Sequence, residues 1–216
     1  MSNTFFFDFE TTGIYNFKST PDDPAQPWPT QLAFVVFNDE RKLVHQAKVL
    51  IKPKTPINEE AAAKTGITTA YATTHGISVE LALTLAIKFI QDCSLVVAHN
   101  VDFDRQILES AVARTTGTTY ALDIPTFCTM KSMTNVCKLP AKWPGSFKWP
   151  RLEEAYKHCF GTTVDDAHDA LADVTATSRI YYWMVDNKLV VNGRAVNEPV
   201  TVTSSYKPRL SGVTIP

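Results

Sequence analysis

The chain has 216 residues, 44% of them hydrophobic and 20% charged, with 21 basic against 22 acidic side chains and a net charge of −1. That length fits one domain with at most an appendage, able to bury roughly 70% of the surface its unfolded chain exposes. The charge balance excludes a uniformly basic coat for nucleic acid but leaves room for a local basic groove. Four cysteines without a close CxxC pair exclude a disulfide scaffold and fit no usual zinc spacing, so reduced thiols in a cytoplasmic compartment are expected. No basic region precedes the first apolar run, and that run contains Asp8 and Glu10, so it does not read as a signal peptide. The longest apolar stretch, 81–90, is about half the length needed to span a bilayer, and no membrane association is expected.

Residues 5–9 hold four phenylalanines, the composition of a buried strand. Two carboxylates interrupt them. Side chains alternate along a strand, so Asp8 and Glu10 share one face. Two acids side by side at the end of an apolar strand must leave water and repel each other. A cation between them resolves both costs, which points to a divalent metal used on phosphate. Residues 14–30, broken by Pro21, Pro24, Pro27 and Pro29, read as a surface loop, with Trp28 as its anchor. Strands are predicted over 31–38 and 43–52, joined by the polar turn 39–42, giving an antiparallel meander with the first strand.

Next comes a short helix over 57–64, with Asn58 as cap and Gly66 as stop. A stronger helix spans 78–92, capped by Ser78, with Leu81, Leu85, Phe89, Ala82, Ala86 and Ile90 on one wide apolar face. Leu95–Ala98 is wholly apolar, as at a sheet centre, and ends at His99-Asn100. A helix over 103–114 follows, so strand, polar turn and helix form a junction of the kind that carries chemistry. A short strand is expected around 126–128, and 131–149 reads as irregular. A helix over 152–160 ends at Gly161. The last helix is predicted over about 167–187, with Asp165 and Asp166 near its start where acids favour the helix dipole. Asn192-Gly193 signals a hairpin, and a loose, arm-like end is expected beyond it. The expected domain is 1–187, with 188–216 as the tail.

Asp104 falls in the first turn after the 95–98 strand. His168 and Asp173 stand five apart, about 140° around a helix, so they do not share a face. Asp173 can face inward while His168 overhangs from the helix entry, which suits a mobile base above a fixed metal ligand.

Together, Asp8-x-Glu10-Thr11-Thr12-Gly13, His99-Asn100-x-x-Phe103-Asp104 and His168-x4-Asp173 resemble the three motifs of the DEDDh 3′–5′ exonucleases, the DnaQ-like family. The likeness covers roughly residues 4–187 and extends to Gly66-Ile67-Thr68 and Pro150-Arg151-Leu152-Glu153-Glu154. It implies an α/β, ribonuclease-H-like three-layer fold: a mixed five-stranded sheet, antiparallel then parallel, with helices on both faces. It also implies two-metal phosphodiester hydrolysis with two Mg²⁺ or Mn²⁺. By the resemblance, Asp8, Glu10, Asp104 and Asp173 hold the metals and His168 takes the proton from the attacking water. Substrate contacts fall to Thr11, Thr12, Gly13, His99, Asn100 and Phe103, with Glu10 also sensing the 3′-hydroxyl. Lys148 and Arg151 are expected to meet phosphates. The implied substrate is a DNA 3′ end, single-stranded by preference, because the Pro-rich insert and Lys148-Trp149-Pro150-Arg151 resemble DNA-processing members. RNA trimming with the same site is the alternative, and a catalytically idle nucleic-acid-binding or polymerase-docking module is another. A polymerase or repair partner fits the family, and the oligomeric state stays open.

Each residue alone has a plainer reading. Asp104 can serve the helix dipole, His168 a helix start, Phe103 the core, and His99 a turn. Trp143 and Trp149 are expected to pack rather than to serve as base platforms. Asp169 and Asp173 form an unfavourable i,i+4 pair of like charges, which favours a cation nearby.

Overall fold

The computed structural model describes residues 2–164, 169–191 and 193–195. Strand β1 (Thr4–Thr11) is central. It pairs antiparallel with β2 (Pro29–Phe37), which pairs antiparallel with β3 (Leu43–Leu50). On its other edge β1 runs parallel to β4 (Leu95–Ala98), and β4 runs parallel to β5 (Thr126–Cys128). The order is β3-β2-β1-β4-β5, the mixed five-stranded sheet the resemblance implies.

The alternation along β1 decides the layers. Phe5, Phe7 and Phe9 face one way, onto helices α3 (Val79–Gln91) and α4 (Val101–Thr116), through Leu83, Ile90, Ile107 and Leu108. Phe6 faces the other way, into a second core with Met133 of α5 (Thr129–Cys137), Tyr156 of α6 (Leu152–Phe160) and Ile180 of α7 (Ala170–Asp186). Asp8 and Glu10 continue the Phe6 side, so they emerge where α7 begins.

The loop 12–28 is clamped rather than loose. The Arg114 guanidinium lies 3.8 Å from the Trp28 ring centre and donates to Gln26 O at 2.7 Å and Pro27 O at 2.6 Å. Helix α1 (Glu59–Thr65) has the predicted Asn58 cap and Gly66 stop.

Several expectations need correction. A helix α2 (Thr69–His75) stands where none was read, capped by the Thr68 hydroxyl. Helix α5 occupies part of 131–149, read as irregular. Its cap is the Cys128 thiol, a weak acceptor that offers little signal in a sequence. Leu81 is exposed, so the apolar face of α3 is narrower than read. Trp143 and Trp149 do not pack: they are 72% and 61% exposed. Helix α7 starts at Ala170, because the Asp169 carboxylate caps it by accepting from Leu171 N and Ala172 N. Asp169 also pairs with Lys48, which holds its carboxyl below the ordinary range. Its charge is therefore accounted for, and the i,i+4 repulsion from Asp169 is no argument for a cation.

A short hairpin of β6 (Val190–Val191) and β7 (Arg194–Ala195) follows, as the Asn192-Gly193 signal predicts. Val190 is buried in the same core as Phe6, so the hairpin is docked. Asp165, Asp166, His168 and the tail beyond Ala195 lie outside the described residues. Among the described residues no helix is long and apolar enough to cross a membrane. All four cysteines are free thiols.

Candidate active site

A cavity of about 730 Å³ opens at the end of β1, a volume suited to a small ligand or a nucleotide end. Three separate elements bring the four motif carboxylates to it: Asp8 and Glu10 from β1, Asp104 from α4 and Asp173 from α7, with Glu60 and Glu153 also in its wall. Thr11, Gly13, His99, Asn100 and Phe103 line the same space. Thr12 does not. Its amide donates to Trp28 O at 2.9 Å, its hydroxyl accepts from Trp28 N at 3.0 Å, and its carbonyl accepts from Asn58 N at 3.0 Å. It fastens the end of β1 to the clamped loop and to α1.

Burial and mutual repulsion dominate the electrostatics. Asp8 has its carboxyl pushed up to about 7, first by burial and then by the charges of Glu10 and Asp173, with Lys64 opposing. Asp104 is 2% exposed, and burial, followed by the Asp8 charge, raises its carboxyl well above the ordinary range. The Phe9 amide opposes that rise by donating to Asp104 Oδ1 at 2.9 Å. The site thus concentrates acidic oxygen at a cost that a hard divalent cation would offset, and an all-oxygen set fits Mg²⁺ or Mn²⁺ better than a soft metal. Among the described residues no three acids, histidines or cysteines stand close enough to hold an ion as they are.

His99 and Asn100 form the junction between β4 and α4. Asn100 adopts φ 83°, ψ 52°, a left-handed conformation that asparagine tolerates better than most residues. The turn lets Asn100 O accept from Phe103 N at 2.9 Å and leaves its side chain unused as a cap. Both ring nitrogens of His99 are engaged. Nε2 lies 3.0 Å from Pro150 O and Nδ1 lies 2.9 Å from Thr129 Oγ1. A carbonyl can only accept, so Nε2 carries the proton and Nδ1 accepts from the threonine hydroxyl. Burial pushes the imidazole down to about 4, consistent with this neutral form. His99 thereby holds the segment that carries Arg151, Leu152 and Glu153 into the cavity wall.

Sequence reading missed other lining residues: Ile14, Asn58, Lys64 and Thr177. Ile14 is 82% exposed, an apolar side chain at the rim beside Gly13. A Cβ at Gly13 would stand 2.9 Å from Asn58 Nδ2, so a larger residue there would press on the side chain that caps α1. Lys64 sits in the last turn of α1, and only the packing of α1 against the end of β1 brings its charge to bear on Asp8. No sequence signal marked it.

The fold and the four converging carboxylates are those of an α/β exonuclease domain. The model of a family described as exonuclease matches residues 5–181, and the chain belongs to that family. Comparison with curated proteins found no match. Among solved structures, E. coli Exonuclease I bound to a dT13 oligonucleotide is similar at 21% identity and a TM-score of 0.66, over 88% of this chain and 43% of that one. An exonuclease I in complex with the inhibitor BCBP has a TM-score of 0.68 at 22% identity, over 87% and 42% of the two chains. A moderately thermophilic Exonuclease I from Methylocaldum szegediense gives 0.66 at 20%, over 87% and 41%. At such identities the likeness is one of fold, and this chain spans less than half the length of those proteins.

Proposed function

We propose that the protein hydrolyses phosphodiester bonds from the 3′ end of single-stranded DNA, releasing nucleoside monophosphates. The observation that carries this reading is the convergence of Asp8, Glu10, Asp104 and Asp173 from three elements on one cavity. These four acids would hold two divalent cations, Mg²⁺ or Mn²⁺, which when bound supply a polarised water and offset charge on the phosphate. A zinc-bound complex of E. coli Exonuclease I with single-stranded DNA supports a metal requirement, and its complexes with dT13 and dA16 support DNA over RNA.

The chain's own residues do the rest. His168, next to the Asp169 cap, takes the proton from the attacking water, a task for a group titrating near neutrality. Glu10 and Thr11 meet the 3′-hydroxyl, while Gly13 and Asn100 leave room for the last sugar. Ile14 and Phe103 offer apolar surface to the terminal bases, and such stacking tolerates any sequence. His99 acts as a positioning residue by holding Pro150, and Arg151 meets a phosphate. Residues 1–187 form the catalytic domain, with the hairpin docked on it.

The test is matched DNA and RNA oligomers, labelled at the 3′ end and supplied with Mg²⁺ or Mn²⁺. Mononucleotides released from DNA, and lost in Asp8→Ala and Asp173→Ala, are expected. Faster release from RNA selects the trimming alternative. Metal-independent binding with no turnover selects the idle binding module.

A further inference from the structure

The acidic cavity poses a problem for a polyanionic substrate. Asp8, Glu10, Asp104 and Asp173, with Glu60 and Glu153 at the wall, repel the phosphates beyond the one being cut. Affinity for a long strand needs another surface, and the segment between α5 and α6 has the right chemistry.

Residues 139–148 form a closed hairpin. Pro140 and Phe147 bridge antiparallel, Ala141 N donates to Ser146 O at 3.2 Å, and Lys148 N donates to Leu139 O at 3.0 Å. Its tip is Trp143-Pro144-Gly145-Ser146. Ser146 N donates to Trp143 O at 3.3 Å, and Gly145 has φ 79°, the positive value a type II turn demands at that position. Trp143, Phe147 and Trp149 are 72%, 41% and 61% exposed on this ordered scaffold. From 138 to 151 the chain carries Lys138, Lys142, Lys148 and Arg151 and no acid. Lys148 is partly offset by Glu154, at 2.5 Å.

We propose that this hairpin is a second binding surface that holds single-stranded DNA upstream of the terminal nucleotide, by stacking bases on Trp143 and Trp149 and pairing Lys142 and Lys148 with phosphates. Exposed aromatics interleaved with cations are what a single-stranded polynucleotide recognises. A protein-binding patch would show the aromatics but is depleted of lysine at its core. The surface is continuous with the cavity. Trp149 lies two residues before Arg151, which lines the cavity, so their Cα atoms are at most about 7 Å apart. His99 fixes the intervening Pro150.

The proposal rests on the exonuclease reading, and its test separates the two. Intrinsic tryptophan fluorescence and anisotropy of labelled strands are measured with dT3 and dT15 in EDTA, where nothing is cut. The wild type is expected to show quenching by dT15 and tighter binding of dT15 than of dT3. Trp143→Ala/Trp149→Ala should lose most of the quenching and weaken dT15 binding by roughly 5- to 100-fold. Trp143→Phe, which keeps a ring, should keep the affinity. Lys142→Ala and Lys148→Ala should each lower the log–log salt slope by about 0.7. Unchanged dT15 affinity and salt slope in these variants overturns the proposal. So does a change in self-association without a change in strand affinity, which marks a protein contact instead. Hydrolysis of thymidine 5′-p-nitrophenyl phosphate by the wild-type protein reports the cavity alone. Its presence beside unchanged strand affinity leaves the exonuclease reading standing and removes the hairpin's role.

Discussion

The carboxylate of Asp104 accepts a hydrogen bond from the backbone amide of Phe9 at 2.9 Å, inside the protein. One side chain of α4 is thus welded to the strand between Asp8 and Glu10. An acid there serves the site's charge and its geometry at once, and substitutions can separate the two. Asp104→Asn keeps the acceptor and removes the charge. Stability should hold or rise, while turnover falls by roughly 10- to 100-fold, the usual loss for a supporting metal-site group. Asp104→Ala leaves the Phe9 amide unpaired and should cost about 1–3 kcal/mol as well. Denaturant unfolding beside the 3′-end assay checks both.

The raised carboxyl of Asp8 makes stability depend on pH and metal together. An acid whose folded value, about 7, exceeds its unfolded value binds a proton more tightly when folded. Its stabilising share is complete below about pH 4 and is lost as pH rises through 7. In EDTA the midpoint of thermal unfolding should therefore fall over that window, and less so in Asp8→Asn. Mg²⁺ or Mn²⁺ at 100 times its dissociation constant should restore about 2.7 kcal/mol at pH 8. The gain should shrink at pH 5, where protons compete for the same oxygens. Calorimetry with and without metal at the two pH values reads this directly.

His99 works in the opposite sense. Its folded value, about 4, lies below the unfolded one, so its share of stability is present above about pH 6.5 and is lost as pH falls through 4. The two trends overlap between about pH 4 and 6.5, and variants separate them. In His99→Gln the acid-side loss should vanish. In His99→Ala, Pro150 O loses its partner and the Thr129 hydroxyl keeps only the Ala98 carbonyl at 3.4 Å, at a cost of about 1–3 kcal/mol. Release of the 150–153 wall should then raise KM more than it lowers kcat.

Asn100 can be split in the same way. Its left-handed backbone makes Asn100→Ala unfavourable by about 1–2 kcal/mol. Asn100→Gly keeps the turn and removes only the side chain. If the side chain contacts substrate, the glycine variant should unfold like the wild type while its KM rises. Equal KM values assign Asn100 to the turn alone.

Local chemistry was legible in the sequence. Four phenylalanines announced β1, Asn58 and Ser78 marked helix starts, and Gly66 and Gly161 marked ends, because each signal acts within a few residues. Motif spacing placed the acids in order and carried the family. Two short elements were missed: α2 is only two turns long, although Thr68 caps it, and α5 starts on a thiol. Tertiary packing alone decided the rest. It turned Asp169 to Lys48 and occupied both nitrogens of His99. It brought Lys64 to Asp8 and left Trp143 and Trp149 in solvent. Partners like these lie tens of residues apart along the chain, and no window of sequence contains both. The sequence by itself determined which acids the protein has and which strand and helices carry them. Only the folded chain decided how far each is buried, what opposes its charge, and which face is left open to hold a strand.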